Sequence, residues 1–288
     1  MNRIPYHELE ARERIAQVTD SFTEILPPPD RVMSPYLPEL GIPVSFDDGL
    51  VIGKASINGK PVYVAAQVGQ FVGGAVGEVH SAKLIGLLEA AARDGIPCLL
   101  LVESGGVRLH EGSAGEIGIS EAIRAVFACR AAGVPVIAVI GSDIGAYGGM
   151  GILVSCCDTR ILTEHGRIGI SGPIVIEKWM GKEAYDSANR ALVWKTSGGK
   201  TRYLLGDADV LCGESAAEVK TAIGGALTQP GKPVNLQAVD AGQEKLAARL
   251  DKFAHLENPD DLWHACGVKD IRVASTDTAP EFLASLPS

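Results

Sequence analysis

Cys98-Leu99-Leu100-Leu101-Val102-Glu103-Ser104-Gly105-Gly106-Val107-Arg108-Leu109 is a five-residue apolar run that breaks into two glycines and then into a segment able to start a helix. A short unbroken apolar run bounded by turn residues reads as a strand buried on both faces. The glycines after it leave backbone N–H groups bare, and where strand gives way to helix such groups hold negatively charged oxygen. The same grammar returns one unit later. Gly95-Ile96-Pro97 opens the first strand and Gly133-Val134-Pro135 opens a second, Val136 to Ile140. That strand leads through Gly141-Ser142-Asp143-Ile144-Gly145-Ala146-Tyr147 to Gly148-Gly149 and the apolar stretch Met150 to Val154. Two sets of amide donors are therefore expected to converge: Gly105, Gly106 and Val107 in one, Gly148 and Gly149 in the other. A Gly-Gly pair taken alone would serve as well for tight packing or positive φ.

Working outward, Val51 to Ile57 and Pro61 to Ala66, joined by Asn58-Gly59-Lys60, read as a β-hairpin. Glu78 to Arg93 sets Leu84, Leu88 and Ala91 on one helical face. Residues 7–18 are charged and helix-prone, and Pro27-Pro28-Pro29 breaks the chain after them. A strand is expected over Thr159 to Thr163, then the glycine-spaced Arg167-Ile168-Gly169-Ile170-Ser171-Gly172-Pro173, then helices near 182–193 and 215–227. Gln229-Pro230-Gly231-Lys232-Pro233 marks the end of the core. A short amphipathic helix is expected over 242–254, and the tail near Thr276 to Pro280 reads as loop. Strands alternating with helices make an α/β fold, with one domain over 1–230 and a helical extension of it over 231–288.

The 288 residues are 46% hydrophobic and carry a net charge of −9 with pI near 5.2. That acidity argues against nucleic acid and anionic membrane surfaces as partners. No apolar run approaches the roughly 20 residues that span a bilayer, and Met1-Asn2-Arg3-Ile4-Pro5 has no apolar core of a signal peptide. Six cysteines (98, 129, 156, 157, 212 and 266) show neither a CxxC pair nor zinc-finger spacing. They read as reduced core residues of a cytoplasmic protein.

Several phrases together resemble the carboxyltransferase subunits of acyl-CoA carboxylases. They are Ala11-Arg12-Glu13-Arg14-Ile15, the hairpin with Ile57-Asn58-Gly59-Lys60-Pro61, Glu78-Val79-His80, Ser104 to Gly112, Gly148-Gly149 and Ile170-Ser171-Gly172-Pro173. The resemblance implies the crotonase/Clp-protease-like spiral of ββα units. Within that superfamily the chain is most similar to the β subunits of biotin-independent malonate decarboxylases. It has half the length of a complete carboxyltransferase, and no cysteine precedes Cys98 to form a zinc ribbon. It also carries Ser197-Gly198-Gly199-Lys200-Thr201 where acyl-CoA carboxylases have Ser-Gly-Val-Ala-His. The resemblance implies no directly bound cofactor, the substrate riding on the CoA-derived prosthetic arm of an acyl carrier protein. It further implies three partner subunits: a second crotonase-like (γ) subunit, the carrier protein and an acyl transferase.

Decarboxylating a malonyl thioester needs no nucleophile; it needs fixed donors for the enolate oxygen and a carboxylate oriented for departure. Gly106 and Gly149 are the first choices among the five amides. Arg108, Tyr147 and Gly172 are expected at the substrate, although Arg108 could equally tie down its own loop. His110, Glu111 and Tyr147 are the candidate acids for returning a proton to carbon. His80, inside an amphipathic helix, is expected to be structural. Lys200 invites a phosphate-loop reading, which fails because Trp194 stands where glycine is required. Three other functions compete: a biotin-dependent acyl-CoA carboxyltransferase subunit, a Clp-like serine peptidase for which Tyr147-Gly148-Gly149 offers no serine, and a scaffold for a catalytic partner.

Overall fold

Among the described residues, seven strands form one sheet in simple sequence order. They are β1 (Ser21–Ile25), β2 (Leu50–Ile57), β3 (Lys60–Gln67), β4 (Cys98–Val102), β5 (Val136–Ile140), β6 (Thr159–Thr163) and β7 (Val210–Cys212). The structure is a computed structural model and describes residues 4–287; Met1 to Arg3, part of the stretch read for a signal peptide, lie outside the described residues. β1–β2–β3 pair antiparallel and β3 through β7 parallel. The β2–β3 hairpin turns on Asn58 and Gly59, both at positive φ (51° and 75°), as a tight two-residue loop demands.

Each parallel strand returns through a helix to the next position on the same edge. The helices are α1 (Ala11–Val18), α2 (Glu78–Asp94), α3 (Ser113–Ala131), α4 (Gly148–Ser155), α5 (Pro173–Met180), α6 (Arg190–Ser197), α7 (Gly199–Leu204), α8 (Ala216–Ala226), α9 (Leu236–Phe253), α10 (Pro259–Ala265), α11 (Ile271–Thr276) and α12 (Ala279–Ser285). Strand alternation divides the core in two. Leu100 and Val102 of β4 face Leu84 and Leu88 of α2 and Ile119 of α3, while Leu99 and Leu101 face Ile15 of α1 and Ile223 of α8. β4 and β5 are buried along their whole length, which is why they read as unbroken apolar runs.

Beyond the strand ends a second, narrow parallel ladder joins successive turns of the chain: Val76 with Val107, Ser104 with Ala146, and Ala146 with Ile168. A long strand, a short one and a helix repeated in this way make the ββα spiral expected from the sequence.

Three expectations are corrected. The helix placed at 182–193 is instead α5 and α6 with a turn between them: Pro173 starts α5, Gly181 ends it at φ +85°, and the Asn189 side chain caps α6 at Leu192 N. The segment near Thr276 to Pro280 is loop only at Asp277 and Thr278, which join the end of α11 to the start of α12. Residues 7–18 are a 3₁₀ turn (Tyr6–Glu8) followed by α1. The tail packs back on the core, with Trp263 and Phe282 against Leu211 of β7.

Candidate active site

The two Gly-Gly turns touch. Ser104 N donates to Gly145 O (2.8 Å) and Tyr147 N to Ser104 O (2.9 Å), so the first turn lies along the second. Gly106 sits at φ +131° and Gly148 at φ +57°. A Cβ at position 148 would stand 3.2 Å from the Gly106 Cα. Only glycine combines that backbone with that approach.

The five amides differ in what they already hold. Gly105 N donates to Gly73 O and Gly148 N to Ile170 O, each at 2.9 Å, which takes these two out of the donor set. Gly106 N faces the Ser104 hydroxyl at 3.2 Å, a partner that can rotate away. Val107 N and Gly149 N have no acceptor among the described residues. Gly149 is in the first turn of α4, where N–H groups have no intrahelical partner and the helix dipole favours negative charge. A Cβ built on Gly149 would lie 3.1 Å from Val107 Cγ2. Thus each turn keeps one unengaged amide, on residues that are half-buried and in side-chain reach of each other.

The side chains expected at the substrate fare differently. Arg108 is 1% exposed. Its guanidinium bonds Asp48 (3.1 and 3.2 Å), Glu111 (3.2 Å), Asp48 O and Ala75 O, and lies over the Phe71 ring. It ties its own loop and presents no face to solvent. Tyr147 is buried, its ring against Gly169 and Gly172 and its hydroxyl 3.4 Å from Ser197 Oγ; burial raises its pKa. Gly172 caps α5 at its N-terminus and is half-buried beside Tyr147. Of the candidate acids, Glu111 is consumed by Arg108 and by Glu78 N (2.7 Å), whereas His110 is exposed.

His80 is fully buried, 3.2 Å from Gln67 Nε2, and burial together with the charges of Arg108 and Lys83 lowers its pKa to about 3. It is a neutral structural histidine. Lys200 donates to Ala274 O (2.9 Å), Ser275 O (3.3 Å) and Asp277 O (2.5 Å), capping α11 rather than holding phosphate.

A cavity of about 600 Å³ lies beside His165, Trp194 and Trp263, and none of the five amide residues lines it. Next to it His7 and His165 stack with ring centroids 4.0 Å apart, paired with Glu214 (3.2 Å) and Asp143 (2.8 Å). The ring nitrogens and Asp143 lie close enough to be considered for a metal. Parallel rings, however, point their nitrogens side by side rather than at one centre, and one on each ring already meets a carboxylate. Sequence reading missed this cluster because its members sit in turns scattered over 207 positions of chain, from His7 to Glu214. It also missed the burial of Glu103 and Arg14, although Glu103 stands two residues before Gly105.

Comparison with known proteins bears on this arrangement. The model of the carboxyl transferase domain matches residues 10–201. The chain belongs to the carboxyl transferase domain family. A relative from Malonomonas rubra, the malonyl-S-ACP:biotin-protein carboxyltransferase MADC, is 34% identical over 96% of this chain and 94% of its own length. Among solved structures, a Pseudomonas malonate decarboxylase hetero-tetramer in complex with malonate is similar at TM-score 0.83 and 34% identity, covering 92% of this chain and 98% of that one. The transcarboxylase 12S chain is similar at TM-score 0.65 and 26% identity, with 77% of this chain matched to 41% of that one. The similarity to malonate decarboxylases expected from sequence therefore holds. Among the described residues no helix of this carboxyl transferase chain is long and apolar enough to cross a membrane.

Proposed function

We propose that this chain decarboxylates a malonyl thioester carried on an acyl carrier protein, as the β-type subunit of a malonate decarboxylase. The observation that carries the reading is the meeting of two glycine turns with one unengaged amide from each, Val107 and Gly149, and the Gly106 amide held only by a hydroxyl. The bond from the carboxylate carbon to Cα breaks, its electron pair forms the enolate double bond, and the thioester oxygen takes the charge. CO₂ leaves and Cα takes a proton from His110 or from water. Each amide aimed at that oxygen is worth about 3 kcal/mol of barrier, roughly a hundredfold in rate. No directly bound cofactor enters this scheme; the CoA-derived arm of the carrier delivers the substrate.

The chain works beside other subunits in this reading. Leu109 after the first turn, Ile117 on α3, Ile170 whose carbonyl bonds Gly148 N, and Ile174 and Trp179 on α5 are all more than 60% exposed. Apolar exposure of that extent fits a second crotonase-like (γ) subunit closing the site. The carrier protein and an acyl transferase that reloads it complete the assembly.

A second reading keeps the enolate and changes the fate of the carboxyl group. The relative named as a malonyl-S-ACP:biotin-protein carboxyltransferase favours transfer to a biotin carrier instead of release. Turnover of malonyl-S-ACP by the copurified complex, followed as labelled CO₂ with and without avidin, decides. Avidin-insensitive release is expected; release or transfer blocked by avidin supports the second reading, and no turnover of the thioester overturns both. Activity that survives bulky residues at Gly106 and Gly149 would leave the chain a scaffold.

A further inference from the structure

A continuous run of buried polar groups begins at one end of the first glycine turn and ends at the other. On the upstream flank, Glu103 pairs with Arg14 of α1; their side chains are 7% and 0% exposed. Arg14 also donates to Gln67 O (2.8 Å), and the Gln67 side chain accepts from Glu103 N (3.0 Å). Gln67 Nε2 meets His80 at 3.2 Å, and His80 N donates to Asp48 (3.0 Å). Asp48 in turn holds Arg108 on the downstream flank, where Glu111 completes a triad that is wholly buried. The residues between these anchors are Ser104, Gly105, Gly106 and Val107.

Two further features mark the run as built for geometry rather than for stability. Both ion pairs lie against glycines: a Cβ on Gly69 would stand 2.3 Å from Glu103 Cδ, and one on Gly77 would stand 2.3 Å from Glu111 Oε2 and 2.4 Å from Arg108 Nη1. Meanwhile Arg14 Nε and Nη1, His80 Nδ1 and Arg108 Nε find no acceptor among the described residues. Well-packed apolar residues often serve stability as well as a buried ion pair, and buried donors left without partners weaken a core.

We infer that Arg14–Glu103 and Asp48–Arg108–Glu111, joined through Gln67 and His80, form a buried clamp that sets the donor geometry of the 104–107 turn, making Arg14 a positioning residue for catalysis from a different helix. The inference rests on the function proposed above for its activity arm and on geometry alone for its structural arm.

The test uses the copurified complex carrying the double substitution R14M/E103M, which replaces both partners with apolar residues of similar reach, together with R14K. For a folded double variant, verified by circular dichroism and thermal melting, the expected result is kcat on malonyl-S-ACP lowered about tenfold or more with KM within about twofold. Amides of the 104–107 peptide should exchange with deuterium faster than in the parent, and those of 146–150 no faster. R14K keeps the charge but not the two-acceptor reach and decides the matter should the double variant not fold; kcat reduced about tenfold is expected there too. Parental kcat and parental exchange in either folded variant would overturn the clamp. If the parent complex itself fails to turn over malonyl-S-ACP, the proposed function falls, while the exchange measurement still judges the clamp.

Discussion

The two glycine turns that meet at the candidate site are both bonded through backbone, Gly105 N to Gly73 O and Val76 N to Gly106 O in the first, but they differ in the side chains around them. The second, around Tyr147-Gly148-Gly149, is fixed by the backbone: Ala146 N bonds Arg167 O (2.8 Å), Gly148 N bonds Ile170 O and Tyr147 N bonds Ser104 O (2.9 Å each), over a buried aromatic ring. The first, Ser104 to Val107, is flanked by buried charges from α1, from the residues before β2 and from its own downstream loop. A turn stitched by backbone answers only to changes in its own backbone freedom. A turn braced by side chains answers to substitutions far along the chain, because each charge needs its partner when buried.

Arg14→Met should break the contrast most severely. It leaves the Glu103 carboxylate buried without its cation and should cost about 3–5 kcal/mol of folding stability, read from urea unfolding. Burial already raises the Glu103 pKa above its ordinary value. A raised carboxyl favours the folded state at low pH and loses that contribution as pH rises through its folded pKa. The deficit in R14M should therefore shrink toward acid and be full once pH exceeds the raised folded pKa; a pH-independent deficit would mean that Glu103 is not the group left stranded.

Gly148→Val attacks the backbone-held turn. A β-branched side chain at φ +57°, pressed 3.2 Å from Gly106 Cα, should cost about 1–2 kcal/mol of strain. By separating the two donors it should lower the rate on malonyl-S-ACP on the order of a hundredfold. Stability and rate thus part company here, whereas in R14M they fall together. A Gly148→Val complex with the parental rate would show that close approach of the turns is not needed.

His80 sharpens the comparison through pH. Its folded pKa is lowered from 6.5 to about 3, so neutral His80 contributes stability that is whole above pH 6.5 and is lost as pH falls toward 3. The slope should be at most about 1.4 kcal/mol per pH unit over that window. Urea midpoints between pH 7 and 4 should fall less steeply in His80→Gln than in the parent. Identical slopes would remove His80 from the acid response.

How much of this could be read from sequence follows from which forces act locally. β4 and β5 appear at the expected bounds because each is an apolar run closed by glycine or proline, and both signals lie within the segment. The Asn58-Gly59 hairpin was legible for the same reason. α11 and α12 were not: their stability comes from Trp263 and Phe282 on β7 and from Lys200 reaching three carbonyls, contacts spread over more than 60 residues of chain. At the site, glycines announced the turns, but which amides stay unengaged depends on Gly73 and Ile170 carbonyls from neighbouring layers. The opposite charges of Glu103 and Arg108 flank the glycines in plain view, yet their partners Arg14 and Asp48 lie 89 and 60 residues away.

Tyr147→Phe should have the smallest effect and yet separates two roles. The hydroxyl makes only a long contact to Ser197 Oγ (3.4 Å) and burial raises its pKa, while the ring itself packs on Gly169 and Gly172. Removing the hydroxyl should change stability by no more than about 1 kcal/mol and leave kcat within about twofold. General acids typically contribute about 10²–10⁴-fold, so a hundredfold loss in Tyr147→Phe would make the hydroxyl the proton source after all. A parental rate would confine Tyr147 to propping the backbone-held turn and turn attention to His110, the exposed candidate. His110→Gln, assayed on malonyl-S-ACP, then asks whether a side chain or water protonates the enolate: a hundredfold loss of rate points to histidine, and a parental rate points to water.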